Sequence, residues 1–183
     1  MCSGVSPASP LTSLADVAKV DGVLREMSLD DVAVILDVQE PAAVVGLAEV
    51  FPQDRFPFPR DAIGKRWRDE ITDPDIDCFV MLRSGTVVGF AALRQDEVLH
   101  FGVALGEWGS GLAVAGHDEL VERIRRTTRT RPWLRVYSAN RRGRAFWEKL
   151  GWAATGEHTR GDGPPHAELL TYELRPDSDL FSP

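Results

Sequence analysis

The apolar positions of this chain switch between a helical period and a strand period, and the switches mark its elements. Residues 23–27 read as a first strand. Ser28 then opens a helix, with Asp31 in capping-box position and Leu29, Val32, Ile35 and Leu36 as its apolar stripe. A second short helix is expected over residues 41–50. Residues 51–59 are rich in Phe and Pro and are expected to be irregular, because proline denies them regular pairing. Over residues 60–71, Ile63, Trp67 and Ile71 recur every four positions, which predicts a helix. The pairs Lys65/Asp69 and Arg66/Glu70 are assigned to its exposed side.

Strand patterns follow. Residues 78–83 and 86–94 flank Ser84-Gly85, a hairpin signal, and 97–105 form a third candidate. Gly109 opens a long helix to about residue 126, with Leu112, Gly116, Leu120 and Ile124 on one stripe. Residues 133–138 read as a strand. Asn140 can cap a helix that ends near Leu150, with Gly151 as the glycine just beyond it. Residues 152–160 and 167–175 are closing strands around the turn Gly161-Asp162-Gly163-Pro164-Pro165. The sum is an α+β domain over residues 20–175, a mixed, mostly antiparallel sheet flanked by helices. Residues 1–19, with Ser, Pro and scattered apolar residues, are expected to be a disordered tail, and 176–183 a flexible one.

Composition narrows the class. The chain has 183 residues, enough for one domain, with 43% hydrophobic and 27% charged residues. No window resembles a membrane span, and the N-terminus lacks the basic flank and apolar stretch of a signal peptide. Cys2 and Cys78 are not expected to form a disulfide, and no Cys/His spacing suggests a metal, so the cytoplasm is the default location. The net charge of −7 argues against nucleic acid as the principal partner. Yet Arg123, Arg125, Arg126, Arg129, Arg131, Arg135, Arg141, Arg142 and Arg144 crowd one third of the chain. They are either a solvated face or a local field for a polyanionic ligand.

The segment richest in chemistry is Val103-Ala104-Leu105-Gly106-Glu107-Trp108-Gly109-Ser110-Gly111-Leu112-Ala113, a strand running through glycines directly into a helix. Such a turn can bind a diphosphate. Glycine lets the backbone approach closely, and the unpaired N–H groups and the dipole of the first helical turn favour an anion. It is not a Walker loop, since no Gly-Lys-Ser/Thr follows, and it lacks the third glycine of a dinucleotide fingerprint.

A second segment, residues 137–152, changes its meaning. Gly109, Gly111 and Ala113 match one motif, and Asn140, Ala145, Phe146, Gly151 and Trp152 match or nearly match a second, of the GNAT superfamily of N-acetyltransferases, which the chain resembles over about residues 20–175. The resemblance implies a sheet whose central strands splay apart to admit the pantetheine of acetyl-CoA. It also implies acetyl transfer to a primary amine by direct attack in a ternary complex. Val103, Ala104 and Leu105 would contact pantetheine. The N–H groups of Trp108, Gly109, Ser110, Gly111, Leu112 and Ala113 would hold the diphosphate. Asn140 would bond the cofactor near the pantetheine, with Trp147 beside it, and Arg144 would approach the phosphates or the adenine end. The acceptor would be a small-molecule or peptide amine, and a homodimer is left open.

Three positions depart from the family pattern: Leu105 replaces a Pro, Trp108 a Gln or Arg, and Trp147 a Tyr. Trp108 removes a side-chain cation, so diphosphate binding is expected to be weakened or re-routed. Trp147 cannot protonate a leaving thiolate, because an indole N–H is too weak an acid. Tyr137 is a candidate substitute. For the base, Glu97 and His100 are candidates, with His100 preferred because its ordinary pKa suits proton transfer near neutrality. Three positions apart, they should face opposite sides of a regular strand unless a bulge intervenes. A CoA-binding module without catalysis is the alternative.

Overall fold

The pattern resolves, in chain order, into β1 (Leu24–Glu26), α1 (Val32–Gly46), α2 (Arg60–Thr72), β2 (Asp77–Arg83), β3 (Thr86–Arg94), β4 (Glu97–Val103), α3 (Leu112–Thr127), β5 (Trp133–Tyr137), α4 (Arg141–Lys149), β6 (Trp152–Arg160) and β7 (Glu168–Leu174). The computed structural model describes residues 22–176. The tails expected at 1–19 and 176–183 therefore lie outside the described residues, Pro176 excepted.

Local chemistry accounts for most boundaries. Asp31 Oδ2 accepts from the backbone N–H and the hydroxyl of Ser28, at 2.7 and 2.9 Å, fixing the turn that leads into α1. Arg25 grips the same carboxylate with both terminal nitrogens and holds its pKa down to about 2. α1 does not break at Pro41, contrary to the sequence expectation of a second helix there. Proline removes one N–H from the ladder, which vacates a single carbonyl. The packing of Ile35, Leu36 and Val38 beneath the helix outweighs that loss. Ser84 and Gly85 both take positive φ, 50° and 79°, as a two-residue hairpin turn requires.

The strands form one sheet in the order β1-β2-β3-β4-β5-β7-β6. Every neighbouring pair is antiparallel except β4 and β5, which run parallel. Helices α1 and α2 cover one face, where Trp67, Val32 and Ile35 meet Cys78, Val80, Phe90 and Ala92. The other face buries Phe79, Met81, Leu134 and Tyr172 under Leu120, Ile124 and Trp147 of α3 and α4. Gly116 lets α3 sit this close. A Cβ there would come within 2.9 Å of the Met81 side chain.

Two irregularities of β4 prepare the site. It pairs with β5 only at Glu97↔Trp133 and Val98↔Leu134. Beyond those positions the two strands have no ladder between them, so one edge of each is left open. The β3–β4 register also shifts, from Leu93↔Val98 to Ala92↔His100, leaving Leu99 as an extra residue.

Candidate functional site

At the end of β4 the chain passes through a short 3₁₀ turn, Leu105–Glu107, and the glycines into α3. Gly109 and Gly111 take φ of 82° and 88°. A Cβ on either would meet nothing within 4 Å, so the space before them is open. Of the six N–H groups expected to face a diphosphate, three are already spent. Trp108 donates to the Leu105 carbonyl, Ser110 to that of Glu107, and Leu112 to Ser110 Oγ. The amides of Gly109, Gly111 and Ala113 have no acceptor among the described residues. The alternation follows from the glycines: a left-handed residue reverses the direction in which successive amides point.

Cations reach this turn from elsewhere in the sequence. Arg142, in the first turn of α4, lies with its guanidinium carbon 3.7 Å from the centroid of the Trp108 ring. Arg83, at the end of β2, donates to Ser110 Oγ at 2.9 Å and sits 2.8 Å from Glu107 Oε2 without hydrogen-bond geometry. Trp108 itself donates from its indole nitrogen to the Val103 carbonyl at 3.4 Å. Several other arginines of the run pair with carboxylates: Arg123 with Glu119, Arg126 with Glu122, Arg135 with Glu97. Arg144, assigned to the phosphates from its charge, instead donates to Tyr172 Oη and the Ser138 carbonyl, at 3.1 and 3.2 Å. Of the two cations at the turn, the sequence offered Arg142 only as one of the arginine run and did not single out Arg83.

The remaining expected contacts divide. Val103 is buried in the core, Ala104 packs on the α1–α2 side, and Leu105 is exposed. Asn140 caps α4 by accepting from the Gly143 N–H at 2.9 Å, which leaves its amide nitrogen as donor. Trp147 is buried among Phe101, Phe146, His117 and Trp152. It is a core residue.

On the α2 side of the same opening lies a second cluster. His100 Nε2 is 2.9 Å from Glu70 Oε1, and the imidazole stands edge-on to Trp67, centroids 5.0 Å apart. Burial drives the His100 pKa down, partly offset by the Glu70 hydrogen bond. The Arg66/Glu70 ion pair forms as the spacing predicted, but only its arginine is open to solvent, with side chains 39% and 14% exposed. Glu70 turns inward, and Arg66 Nε lies 3.7 Å from it, buried and without a hydrogen-bond partner. The bulge at Leu99 is the exception under which Glu97 and His100 need not face opposite sides. It brings His100 to the face that carries Glu97, so the two are not on opposite sides. Glu97 is nonetheless committed, its carboxylate 2.8 Å from Arg135 and itself buried. Tyr137, at the end of β5, packs edge-on to Phe51 of the Pro/Phe-rich loop at 5.1 Å. Burial pushes its pKa up, so it holds its proton more firmly than a free tyrosine.

An open edge between parallel strands thus lies between the glycine turn with its free amides and the largely buried His100–Glu70 pair. Residues 33–152 match the model of the acetyltransferase (GNAT) family. The chain belongs to that family. Among relatives of this GNAT chain, the 5-NmdU N-acetyltransferase of Pseudomonas phage PaMx11 is 37% identical over 43% of the chain. That match spans 59% of the relative's length. PaiA N-acetyltransferase from Thermoplasma acidophilum, solved in complex with coenzyme A, superposes with a TM-score of 0.62 at 14% identity, over 82% of this chain and 98% of that one. Spermidine N-acetyltransferase from Vibrio cholerae, solved with CoA and spermine, gives 0.61 at 14% identity, over 82% and 93%. At such identity the likeness carries the fold of this GNAT domain. Among its described residues no helix is long and apolar enough to cross a membrane, and no group of three or more His, Cys, Asp or Glu is arranged to hold a metal.

Proposed function

We propose that this GNAT protein transfers an acetyl group from acetyl-CoA to a primary amine by direct attack in a ternary complex. The observation that carries the reading is the open β4–β5 edge that begins after Val98↔Leu134 and leads to three free amides at Gly109, Gly111 and Ala113. The donor set fits CoA: those amides would hold the diphosphate, Arg142 and Arg83 would add charge, and the unpaired edges of β4 and β5 would hydrogen-bond pantetheine. Acetyl-CoA when bound supplies an acyl carbon open to attack and a thiolate leaving group.

The chain's own residues handle the proton. Glu70 orients His100 so that Nε2–H donates to the carboxylate, leaving the Nδ1 lone pair as proton acceptor. Burial keeps the imidazole neutral at physiological pH, which a base requires. A neutral amine attacks, a C–N bond forms, the C–S bond breaks, and the surplus amine proton passes to His100. Trp147 offers no acid, and CoA leaves as the thiolate, which its modest basicity permits. Tyr137, at the end of β5, stays a neutral phenol.

Free-thiol release from acetyl-CoA across a panel of primary amines tests the reading, with CoA affinity measured by calorimetry. Turnover with at least one amine is expected. A folded protein that binds no CoA, or binds it and never turns over, overturns it.

A further inference from the structure

Residues 51–59, between α1 and α2, include Pro52, Pro57 and Pro59, and so have few backbone donors with which to tie themselves together. One turn is made by the backbone, where Arg55 and Phe56 both donate to the Pro52 carbonyl. The rest is tied by a single side chain. Gln53 donates from Nε2 to the carbonyls of Phe51 and Phe56, at 2.9 and 3.3 Å, and accepts the Phe58 N–H on Oε1 at 3.0 Å. Both ends of its amide are thus spent on the loop itself.

The loop so fixed reaches the open β4–β5 edge. Leu134 and Val136 of β5 are buried on the α3–α4 side. Tyr137, the next residue, therefore faces the α1–α2 side, as the period of a strand requires. Its ring meets Phe51 edge-on, centroids 5.1 Å apart. A Cβ at Gly161, in the β6–β7 loop, would lie 3.9 Å from the same ring, so that loop abuts it too. His100 faces the same side, against Trp67 of α2. Counted from the last β4–β5 pair, Val98↔Leu134, His100 is two residues along and Tyr137 three. The imidazole and the two rings thus border one opening.

We propose that Gln53 is a positioning residue: by tying residues 51–58 it holds Phe51 against Tyr137 as a fixed aromatic wall of the acceptor site. Resting on the acetyl-transfer reading, this names the acceptor class as a primary amine with a planar or apolar group close to its nitrogen. The amine sits at His100, where its proton leaves, and the planar group lies against the rings, where apolar and edge-to-face contact is favourable. A wall already tied spares the acceptor the cost of ordering a loop on binding.

Benzylamine against putrescine, each with acetyl-CoA, tests the acceptor class, and the wild-type protein is expected to favour benzylamine about tenfold or more in kcat/KM. Gln53→Met keeps the length of the side chain and removes its hydrogen bonds. It should raise KM for benzylamine about tenfold and leave kcat and the KM for acetyl-CoA within about twofold. Phe51→Leu should do the same, and the double variant should be no worse than the poorer single one, because both act on one wall. Additive losses, an unchanged benzylamine KM in Gln53→Met, or equal use of the two amines overturns the inference while acetyl transfer stands. Amide exchange reads the tie without turnover. The Phe58 N–H, which donates to Gln53, should be protected in the wild-type protein and exchange about tenfold faster or more in Gln53→Met. An unprotected Phe58 amide in the wild-type protein overturns the inference even if Gln53→Met fails to fold. Absent turnover with every amine counts against the transferase reading. Benzylamine titrated into the protein–CoA complex should then still shift the ring resonances of Phe51 and Tyr137, and no shift counts against the wall.

Discussion

The guanidinium of Arg142 stacks on the indole of Trp108, 3.7 Å from the ring centroid, and so carries a positive charge from the start of α4 to the glycine turn before α3. Trp108 stands where the family pattern places a Gln or Arg. The tryptophan thus removes one cation and supplies the platform for another, since a guanidinium over an aromatic face is held by the ring quadrupole. The far edge of the indole rests against Gly46, so the platform is fixed by α1.

Arg142→Ala is therefore expected to weaken CoA binding about tenfold, the equivalent of about 1.4 kcal/mol, and to steepen no step of the chemistry. Arg142→Lys should recover part of it. Calorimetry against CoA at two salt concentrations checks this, because the lost contribution should be the salt-sensitive one.

Gly111→Val should impair both folding and binding. Position 111 sits at φ 88°, where a β-branched residue is strained whatever the space around it. A loss of about 1–2 kcal/mol in stability is expected from the backbone alone, with CoA affinity falling further as the side chain enters the open space before the turn. Denaturant titration and calorimetry separate the two effects.

The His100–Glu70 pair predicts a pH profile. Burial lowers the His100 pKa, so kcat/KM should rise with pH and level off through an inflection below the ordinary histidine value. Glu70 raises that pKa by accepting the hydrogen bond. Glu70→Gln should therefore move the inflection to lower pH and reduce the plateau about 10- to 100-fold, as a weaker and less well oriented base would. A merely structural glutamate would lower activity without moving the inflection. His100→Gln should remove the inflection.

His117 links pH to stability. It is 2% exposed, accepts from the Trp152 indole N–H at 2.9 Å, and pairs its other nitrogen with Asp118 at 2.7 Å. Burial lowers its pKa, so in the window just below 6.5 the unfolded chain binds the proton more readily than the folded one. Stability should be full above that window and fall as pH drops through it. His117→Gln, which retains an acceptor, should flatten the stability curve between pH 6.5 and 5 by up to about 1.4 kcal/mol per pH unit. Thermal melts across that range provide the comparison.

Several of these relationships were legible in the sequence and several were not. The helix stripe Leu112, Gly116, Leu120, Ile124 is buried as its period required. Asn140 caps α4, and Gly151 takes the positive φ expected just after it, 86°. Pro41 misled, because a local rule against proline inside helices was outweighed by burial of the residues beneath. Glu70 misled for a related reason. Its pairing with Arg66 followed from spacing and is present, but Glu70 turns toward His100 of β4, and no periodicity reports which strand a helix will meet.

What the sequence determined by itself is whatever depends on the backbone over a few residues: the order of strands and helices, the glycine turn, and the capped start of α4. Those features follow from φ preferences, capping and hydrophobic period, all set by neighbours along the chain. Only the tertiary structure decided the chemistry around them. It placed the bulge at Leu99 that turns His100 toward Glu97, the approach of Glu70 to His100 across 30 residues, and the stacking of Arg142 on Trp108. Such pairings are selected by how the helices lie on a twisted sheet and by the cost of burying charge without a partner, and both belong to the folded chain as a whole.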